Sequence, residues 1–211
     1  MAANMKEIKE RIDSVKSTSQ ITNAMNIVSS TKFKKFQVLT LKSRSYARAV
    51  DEAFDNLVAS LTGNKFVIFD GKSEVRRVGI IVMTSDRGLC GSFNSNTFRR
   101  LENMKKQFEK EGKEISVVTI GRKAKEYCKN RNINVDSEYT QMIPETMFET
   151  GKKISEDVVQ FYLNDFYDEV YMIYSKFVSA IEYNIQIEKL LPIEKKEGLP
   201  TKEYIFDPSE E

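Results

Sequence analysis

The first sixty residues repeat a spacing of three and four residues, which places one set of side chains along one face of a helix. The set runs through Met5, Ile8, Ile12, Val15, Ser19, Thr22, Asn26, Ser29, Phe33, Phe36, Thr40, Ser43, Ala47, Val50, Phe54 and Leu57. This heptad spacing is typical of a left-handed coiled coil, although small polar residues fill its middle. No Gly or Pro occurs between Met1 and Thr62, so the pattern predicts a single helix of roughly 90 Å.

A helix of that length must lie on a partner helix, and no second segment of the sequence is long enough to be that partner. We therefore expect residues 1–62 to form one half of a coiled coil. Ile21, Met25 and Val28 form a second apolar line on another face of the same helix. A plain two-stranded coil has no use for this second line, whereas a protein that surrounds the helix does.

The middle of this predicted helix carries charge of one sign. Between Asp13 and Asp51 there are seven basic residues and no acidic one: Lys16, Lys32, Lys34, Lys35, Lys42, Arg44 and Arg48. The formal net charge of the chain is only +2, so the basic field is local. It fits a solvated face, an acidic partner surface or a nucleic acid. We expect no nucleic acid, because no helix-turn-helix, zinc-finger or aromatic RNA-binding motif accompanies it.

Beyond residues 63–75, which we interpret as a linker, short apolar runs alternate with helical segments. The predicted elements are strand 77–84, a helix from Asn96 to near Gly112, strand 115–120, helix 122–130, strand 133–135, helix 145–165, strand 169–174 and strand 184–190. The first two strands are mostly apolar, as in strands buried on both faces. This alternation predicts an α/β domain with a mainly parallel sheet over residues 76–193, followed by a tail, 194–211.

Two of these elements have a clear sidedness. The segment 184–190 alternates apolar and polar residues, which predicts a half-exposed, antiparallel strand at the edge of the sheet. The helix 145–165 is predicted to bury one face that contains Met147, Ile154, Val158 and Phe161.

The chain has no histidine among its 211 residues. This excludes Ser-His-Asp and Cys-His nucleophile systems and most catalytic zinc sites. Its two cysteines, Cys90 and Cys128, lack the spacing of a disulfide framework and suit a reducing compartment. Six charges among the first fifteen residues exclude a secretory signal, and no apolar run approaches the ~20 residues of a membrane span. We therefore expect no catalytic, cofactor or metal site.

The segment Thr84–Asn94 follows the first predicted strand, at the sheet edge where α/β proteins bind ligands. Gly88 and Gly91 form a Gly-x-x-Gly pattern, which matches neither common phosphate-binding fingerprint. We interpret the segment as a tight hydrogen-bonded loop or a subunit contact, with nucleotide binding as the alternative. Cys90 has no histidine to activate it as a nucleophile, and Cys128 is expected to be a packing residue.

Five motifs along the chain resemble the gamma subunit of the F-type ATP synthase. They are Lys6–Lys16 (KEIKERIDSVK), Ile21–Met25 (ITNAM), Thr84–Gly91 (TSDRGLCG), Leu190–Ile193 (LLPI) and Tyr204–Pro208 (YIFDP). They occur in family order, so the resemblance spans essentially the whole chain. It implies a Rossmann-like α/β domain joined to a long helix, and a central-stalk rotor rather than an enzyme.

The resemblance also implies partners and a location. In that family the two terminal helices wind into a coiled coil inside a ring of three alpha and three beta subunits. The α/β domain lies against the epsilon subunit and the membrane-embedded c-ring. Rotation, driven by proton or sodium flow through the c-ring, takes the beta sites through different conformations and so drives ATP synthesis. This implies a peripheral place on the cytoplasmic face of a bacterial membrane.

By the same resemblance, six residues are expected to contact other subunits: Met25, Lys32, Lys34, Lys35, Arg87 and Tyr204. Met25 matches the family methionine that faces an acidic loop of beta, and the three lysines follow two to three turns further on. Arg87, beside Asp86, falls in a loop near the domain's subunit contacts, and Tyr204 in a segment near the c-ring loops. Packing in the seam is the alternative role for Met25, and bonding within the loop is the alternative for Asp86 and Arg87.

Family members continue past the Asp-Pro motif into a long C-terminal helix, whereas this sequence ends at Glu211. That helix would be the partner that the heptad stripe requires, so we expect this polypeptide alone not to transmit torque. Two other classes stay open on the residues themselves. One is an adaptor with a coiled-coil arm, and the other is a nucleotide-binding enzyme.

Overall fold

A computed structural model describes residues 2–60 and 67–194, which fall in two separate units of the chain. The first of these ranges is one uninterrupted helix, α1 (Ala2–Ser60), of 59 residues. At 1.5 Å per residue it is about 90 Å long, which confirms the length predicted from the absence of Gly and Pro.

Most large apolar side chains of α1 are exposed, from Met5 to Leu57, whereas Val58 near its end is buried. Ile8 and Ile12 are each 49% exposed, Met25 is 48% exposed and Phe36 is 40% exposed. Burying a side chain of this size is worth roughly 1.5–3 kcal/mol, so a helix that leaves many of them in water gains little from its own packing. The unit therefore has the surface of a helix that is built to lie against other protein.

Hydroxyl side chains between these apolar residues bond to the backbone of the helix itself. Thr18 donates to the carbonyl oxygen of Ser14 at 2.9 Å, Thr22 to that of Thr18 at 2.8 Å, and Thr31 to that of Ile27 at 2.9 Å. Such bonds to the preceding turn satisfy the hydroxyl within its own helix. A partner can therefore approach this part of α1 closely without having to supply acceptors for these three groups.

The second unit contains a five-stranded sheet with helices on both faces. Its elements, in chain order, are α2 (Val67–Asp70), β1 (Arg77–Met83), α3 (Phe93–Lys110), β2 (Glu114–Ile120), α4 (Arg122–Asn130), β3 (Val135–Tyr139), α5 (Met147–Leu163), β4 (Glu169–Phe177) and β5 (Tyr183–Leu191). The strand order is β3-β2-β1-β4-β5. The first four strands are parallel and β5 pairs antiparallel with β4 at the edge, which confirms the predicted sheet.

Alternate residues of the central strands supply the two layers of the core. On one face, Ile80 and Val82 of β1 pack with α3 and α4 through Leu101 and Cys128. On the other face, Ile81 belongs to the cluster formed with α5. Cys128 is fully buried, as predicted for a packing residue. This is the doubly wound, Rossmann-like arrangement, in which the strand order reverses between β1 and β4.

The predicted strand 133–135 was wrong in its bounds, because β3 covers Val135–Tyr139 instead. Ile133 belongs to the turn that ends α4, since its amide donates to the carbonyl oxygen of Cys128 at 3.0 Å. Ile133 is apolar because its side chain is buried (7% exposed), and this is why the sequence pattern placed it in a strand. The strand itself contains the polar run 136–138, which is common at the edge of a sheet and hides its pattern.

Two further details differ from the sequence prediction. The core face of α5 contains Ile154, Val158 and Tyr162, whereas Met147, at the first residue of the helix, is 43% exposed. Within the predicted linker 63–75, the described part includes α2, and the carbonyl oxygen of Ile68 accepts a hydrogen bond from the amide of Ile193 at 2.7 Å. This segment is thus bonded to the α/β domain.

Candidate functional site

The loop after β1 lies at the point where the strand order reverses, and it is tied together by Asn94 in the first turn of α3. The side-chain amide of Asn94 donates to the hydroxyl of Ser85 at 2.8 Å, and its oxygen accepts from the amide of Ser85 at 3.1 Å. Ser85 in turn donates from its hydroxyl to the carbonyl oxygen of Arg87 at 2.6 Å. Asn94 is only 9% exposed, so this is a buried polar clamp inside the loop.

Asp86 joins this loop to two other segments. Its carboxylate accepts from the amide of Arg122, at the start of α4, at 2.9 Å, and from the amide of Gln141, after β3, at 3.1 Å. Two further amides of α4 donate hydrogen bonds to the same loop. The amide of Lys123 donates to the carbonyl oxygen of Ser85 at 3.1 Å, and the amide of Ala124 donates to the hydroxyl of Thr84 at 2.8 Å. The loop itself thus satisfies three amides that an anion would otherwise use.

These bonds argue against the phosphate-loop alternative. In dinucleotide-binding folds, free backbone amides of a Gly-rich turn and of a helix N-terminus hold the phosphates. Here Asp86 places a carboxylate against the N-terminus of α4, where it would repel a phosphate. The geometry supports the interpretation of residues 84–94 as a tight, internally bonded loop.

A nucleotide titration checks this interpretation directly. We expect Mg-ATP to show no submillimolar binding to the chain in titration calorimetry, because the carboxylate of Asp86 and the bonded first amides of α4 disfavour a phosphate beside the loop. A submillimolar dissociation constant that Gly88→Ala or Gly91→Ala abolishes would contradict the closed-loop interpretation.

The tip of the loop points its side chains outward. Arg87, Leu89 and Cys90 are exposed, and Leu89 is 94% exposed with a left-handed backbone (φ 60°). Cys90 accepts a hydrogen bond from the side-chain amide of Asn94 at 3.2 Å. The backbone at Arg87 is fixed through its carbonyl oxygen, so the rigid loop presents the side chains of its tip at the surface of the domain.

Gly121, which leads from β2 into α4, has a backbone that an L side chain rarely adopts (φ 97°, ψ 142°). A Cβ at this position would overlap the carbonyl oxygen of Thr84 and lie 2.8 Å from its carbonyl carbon. Only glycine therefore allows the end of β2 to approach the end of β1 so closely. This approach is what lets Thr84 and Ser85 reach the amides of α4.

The candidate residues of α1 do not share one face. At 100° per residue, Lys32 lies within about 20° of Met25 and two turns further along, whereas Lys34 lies about 180° away on the opposite side. Lys35 lies about 80° from Met25. All four side chains are exposed. Met25 and Lys32 can therefore contact one partner surface together, and Lys34 requires a different surface.

The candidates fall into two groups, because the residues of α1 and the loop around Arg87 belong to separate units of the chain. Tyr204 lies outside the described residues. Among the residues described, no group of three or more His, Cys, Asp or Glu side chains could hold a metal ion. No helix in the described ranges is long and apolar enough to cross a membrane.

Sequence reasoning missed a charged cluster at the opposite, amino end of the sheet. The carboxylate of Asp168 accepts from the backbone amides of Arg76 and Arg77 at 2.9 and 2.8 Å, and from the ammonium of Lys72 at 3.3 Å. The ammonium of Lys72 also donates to the carbonyl oxygens of Tyr162 and Tyr167 at 3.1 and 2.7 Å. These residues are far apart in the sequence, and no motif marks them.

The cluster makes the stability of the domain depend on pH. Burial disfavours the charge of Asp168, but the hydrogen bonds from its neighbours outweigh burial and lower its pKa from 3.8 to about 2. As the pH falls, the unfolded chain therefore takes up this proton first, and the stabilisation is lost between about pH 4 and pH 2. We expect Asp168 alone to remove about 2 kcal/mol of the free energy of unfolding over this interval.

Urea denaturation at pH 5 and pH 2 measures this loss. Asp168→Asn should lack the corresponding part of the pH dependence. Asp165→Asn is the matched control, since the carboxylate of Asp165 lies 2.8 Å from the same ammonium but is 73% exposed, and it should keep the wild-type difference. Equal pH dependence in all three proteins would show that Asp168 is not responsible.

Together, the long exposed helix and the Rossmann-like domain with a closed loop define a helix-bearing α/β protein. The model of the ATP synthase family matches residues 4–211. The ATP synthase gamma chain of Fusobacterium nucleatum is 44% identical over 207 residues, which cover 98% of this chain and 73% of that protein. That of Aquifex aeolicus is 36% identical over 209 residues, with coverage of 98% and 72%. The chain belongs to the ATP synthase gamma-chain family.

Solved structures share the same fold. The central stalk and c-ring structure of the mitochondrial ATP synthase from Tetrahymena thermophila contains a chain that matches with a TM-score of 0.61 and 24% identity, over 82% of this chain and 72% of that one. A chain of the Euglena gracilis mitochondrial ATP synthase matches with a TM-score of 0.61 and 18% identity, over 90% and 58%. At these identities the match bears on the fold alone.

Proposed function

We propose that this chain acts in the central-stalk rotor of an F-type ATP synthase and carries no catalytic site of its own. The observation that carries the proposal is the 44% identity to a gamma chain over 98% of the residues. In this role α1 is one of the helices that form a rotating shaft. Its turning takes the catalytic sites of the beta subunits through their conformations, and proton or sodium flow through the c-ring drives the rotation.

The surface of α1 supports a role inside a surrounding protein. Its apolar residues lie on more than one face, since Ile21 is 62% exposed, Met25 48% and Val28 54%, in addition to the heptad stripe. One partner helix covers only the stripe. The remaining apolar side chains gain from burial only if protein also encloses the other faces, as a ring of alpha and beta subunits would.

Charge supports the same arrangement. The seven basic residues between Asp13 and Asp51 favour contact with acidic loops of the beta subunits. We propose that Met25 and Lys32 meet one such loop together, and that Lys34 and Lys35 meet others as the shaft turns. No nucleic-acid partner is part of this proposal.

The α/β domain is the second part of the proposed rotor. We propose that it contacts the epsilon subunit and the c-ring, with Arg87 of the rigid loop among its contacts. These partners would hold the chain at the cytoplasmic face of a bacterial membrane. The same proposal includes a contact of Tyr204 with the c-ring loops. It also divides the chain into a helix (1–62), a linker (63–75), a domain (76–193) and a tail (194–211).

Co-expression with alpha and beta subunits tests the proposal. The experiment expresses the gamma chain from its full-length gene, because the curated relatives extend beyond the matched region. We expect a complex with three alpha and three beta subunits for each gamma chain, and ATP hydrolysis by the purified complex. The double variant Ile8→Asp, Ile12→Asp should reduce the yield of this complex, because both side chains lie on the heptad stripe of α1.

The two other classes predict different results. An adaptor with a coiled-coil arm would leave the alpha and beta subunits unassembled, or bind them without the ratio of one to three to three. A nucleotide-binding enzyme would hydrolyse or bind ATP in the absence of alpha and beta. Either result would overturn the rotor proposal.

A further inference from the structure

A cavity of about 340 Å³ opens at the amino end of the sheet, opposite the loop that contains Arg87. It is lined by residues at the start of β1, β2 and β3, by Phe161 in the last turns of α5, and by Phe166 and Tyr167 between α5 and β4. Cavities that hold small ligands start at about 300 Å³, so this one has room for a single small molecule or one long side chain. No role considered so far uses it.

Aromatic rings form one wall of the cavity. The rings of Phe161 and Phe166 are inclined at 70° with centroids 6.0 Å apart, and those of Phe161 and Tyr167 at 61° and 5.3 Å. Rings inclined at such angles form a corner, and all three of these residues line the cavity. The negative face of an aromatic ring attracts a cation within about 6 Å.

The backbone holds two of these rings in place. A Cβ at Gly79 would lie 2.6 Å from the ring of Tyr167, so the glycine is what allows this ring to lie flat on β1. The amides of Phe166 and Tyr167 both donate to the carbonyl oxygen of Phe161, at 2.8 and 3.2 Å. Phe166 is nevertheless 63% exposed, so a rigid turn presents a large aromatic side chain to solvent. The fold of the domain does not require this exposure.

Charge around the cavity favours a cation. Glu114 and Asp136 both line it, and Asp136 accepts from the hydroxyl of Tyr167 at 2.5 Å. The one basic residue of the lining is Arg77, whose guanidinium already pairs with Asp168 at 3.2 Å. The lining therefore carries two carboxylates and one guanidinium that has its own partner, so its formal net charge is negative.

We propose that this cavity is a binding site for an alkylammonium group, held against the rings of Phe161 and Phe166 and near the carboxylates of Glu114 and Asp136. Aromatic rings combined with carboxylates are the chemistry by which proteins bind amines and quaternary ammonium groups. The group is either a free small amine or a lysine side chain of another protein. This proposal does not rest on the rotor assignment, because it is argued only from the residues that line the cavity.

NMR titration of the full chain tests the site with tetramethylammonium as the probe and tert-butanol as its neutral analogue. We expect saturable shifts of the Ser116 amide and of the Phe166 ring with tetramethylammonium, and none that saturate with tert-butanol. Phe166→Leu and Glu114→Gln should each weaken binding by about two- to fivefold, the size of one exposed cation–ring contact or ion pair. Phe148→Leu and Glu149→Gln are the matched controls, since both residues are exposed and lie outside the cavity.

Two further ligands distinguish the source of the amine. Butylammonium represents a free amine, and Nα-acetyl-lysine methylamide represents a lysine side chain on a peptide backbone. Binding of both supports a site that admits a partner's lysine, and binding of butylammonium alone supports a site for small amines. Equal shifts with tetramethylammonium and tert-butanol, or equal weakening by the control variants, would overturn the proposal.

Discussion

Replacing Gly121 by alanine should cost about 2–6 kcal/mol of the free energy of unfolding. A non-glycine residue at φ 97° and ψ 142° carries backbone strain of about 1–3 kcal/mol. The new methyl group would also overlap the backbone of Thr84, which adds a packing cost of about 1–3 kcal/mol. Moving the strand ends apart would relieve the overlap only by breaking the bonds of Thr84 and Ser85 to the start of α4.

Urea denaturation measures this cost, and Gly112→Ala is its control. Gly112 also has a positive φ, 74°, but no atom lies within 4 Å of the position of its Cβ. It should therefore lose only about 1–2 kcal/mol, the cost of the left-handed backbone itself. Equal losses in the two variants would show that the approach between β1 and β2 is not constrained as described.

Met25→Lys should impair coupled turnover of the assembled synthase by about tenfold or more while assembly persists. In the proposed rotor, the new ammonium would meet acidic residues of a beta subunit at one rotational position. Enclosure by the ring would shield this ion pair from water, so it would exceed the ~0–1 kcal/mol of an exposed pair. Each ~1.36 kcal/mol of stabilisation of that position slows the step out of it about tenfold.

ATP synthesis and ATP-driven ion pumping by reconstituted complexes check this expectation. Met25→Leu should behave like the wild-type protein, because it keeps the size of the side chain and adds no charge. Removing the carboxylate of beta that the new lysine meets should restore turnover. Wild-type coupling in Met25→Lys, or a defect explained by failed assembly alone, would mean that Met25 is only a packing residue.

The elements that the sequence predicted well are those whose residues act locally. The helix α1 follows from a long run without Gly or Pro, and β1 follows from a continuous apolar run such as Ile80–Val82. The strand β3 was predicted at the wrong residues, because its polar residues show no strong alternation, while Ile133 in the preceding turn is apolar and buried. At a sheet edge, exposure weakens the very pattern on which the prediction depends.

The sequence predicted a tight hydrogen-bonded loop after β1, but not the distant residues that hold it. Asp86 bonds to residues 36 and 55 positions further along the chain, and Lys72 bonds to Asp168 across 96 positions. Contacts over such separations leave no periodicity and no fixed spacing in the sequence. The aromatic corner around Phe166 was missed for the same reason, since it forms only when three strand ends meet the turn after α5.

The hydroxyl groups of α1 that bond to their own helix also affect how easily another protein surface can slide past this helix. Thr18, Thr22 and Thr31 donate to backbone carbonyl oxygens of the preceding turn. A neighbouring surface that slides past them need not break a hydrogen bond to each hydroxyl and form it again at the next position. In the proposed rotor these three hydroxyls would therefore add little to the energy barriers of rotation, which would arise mainly from the charged and bulky side chains of α1.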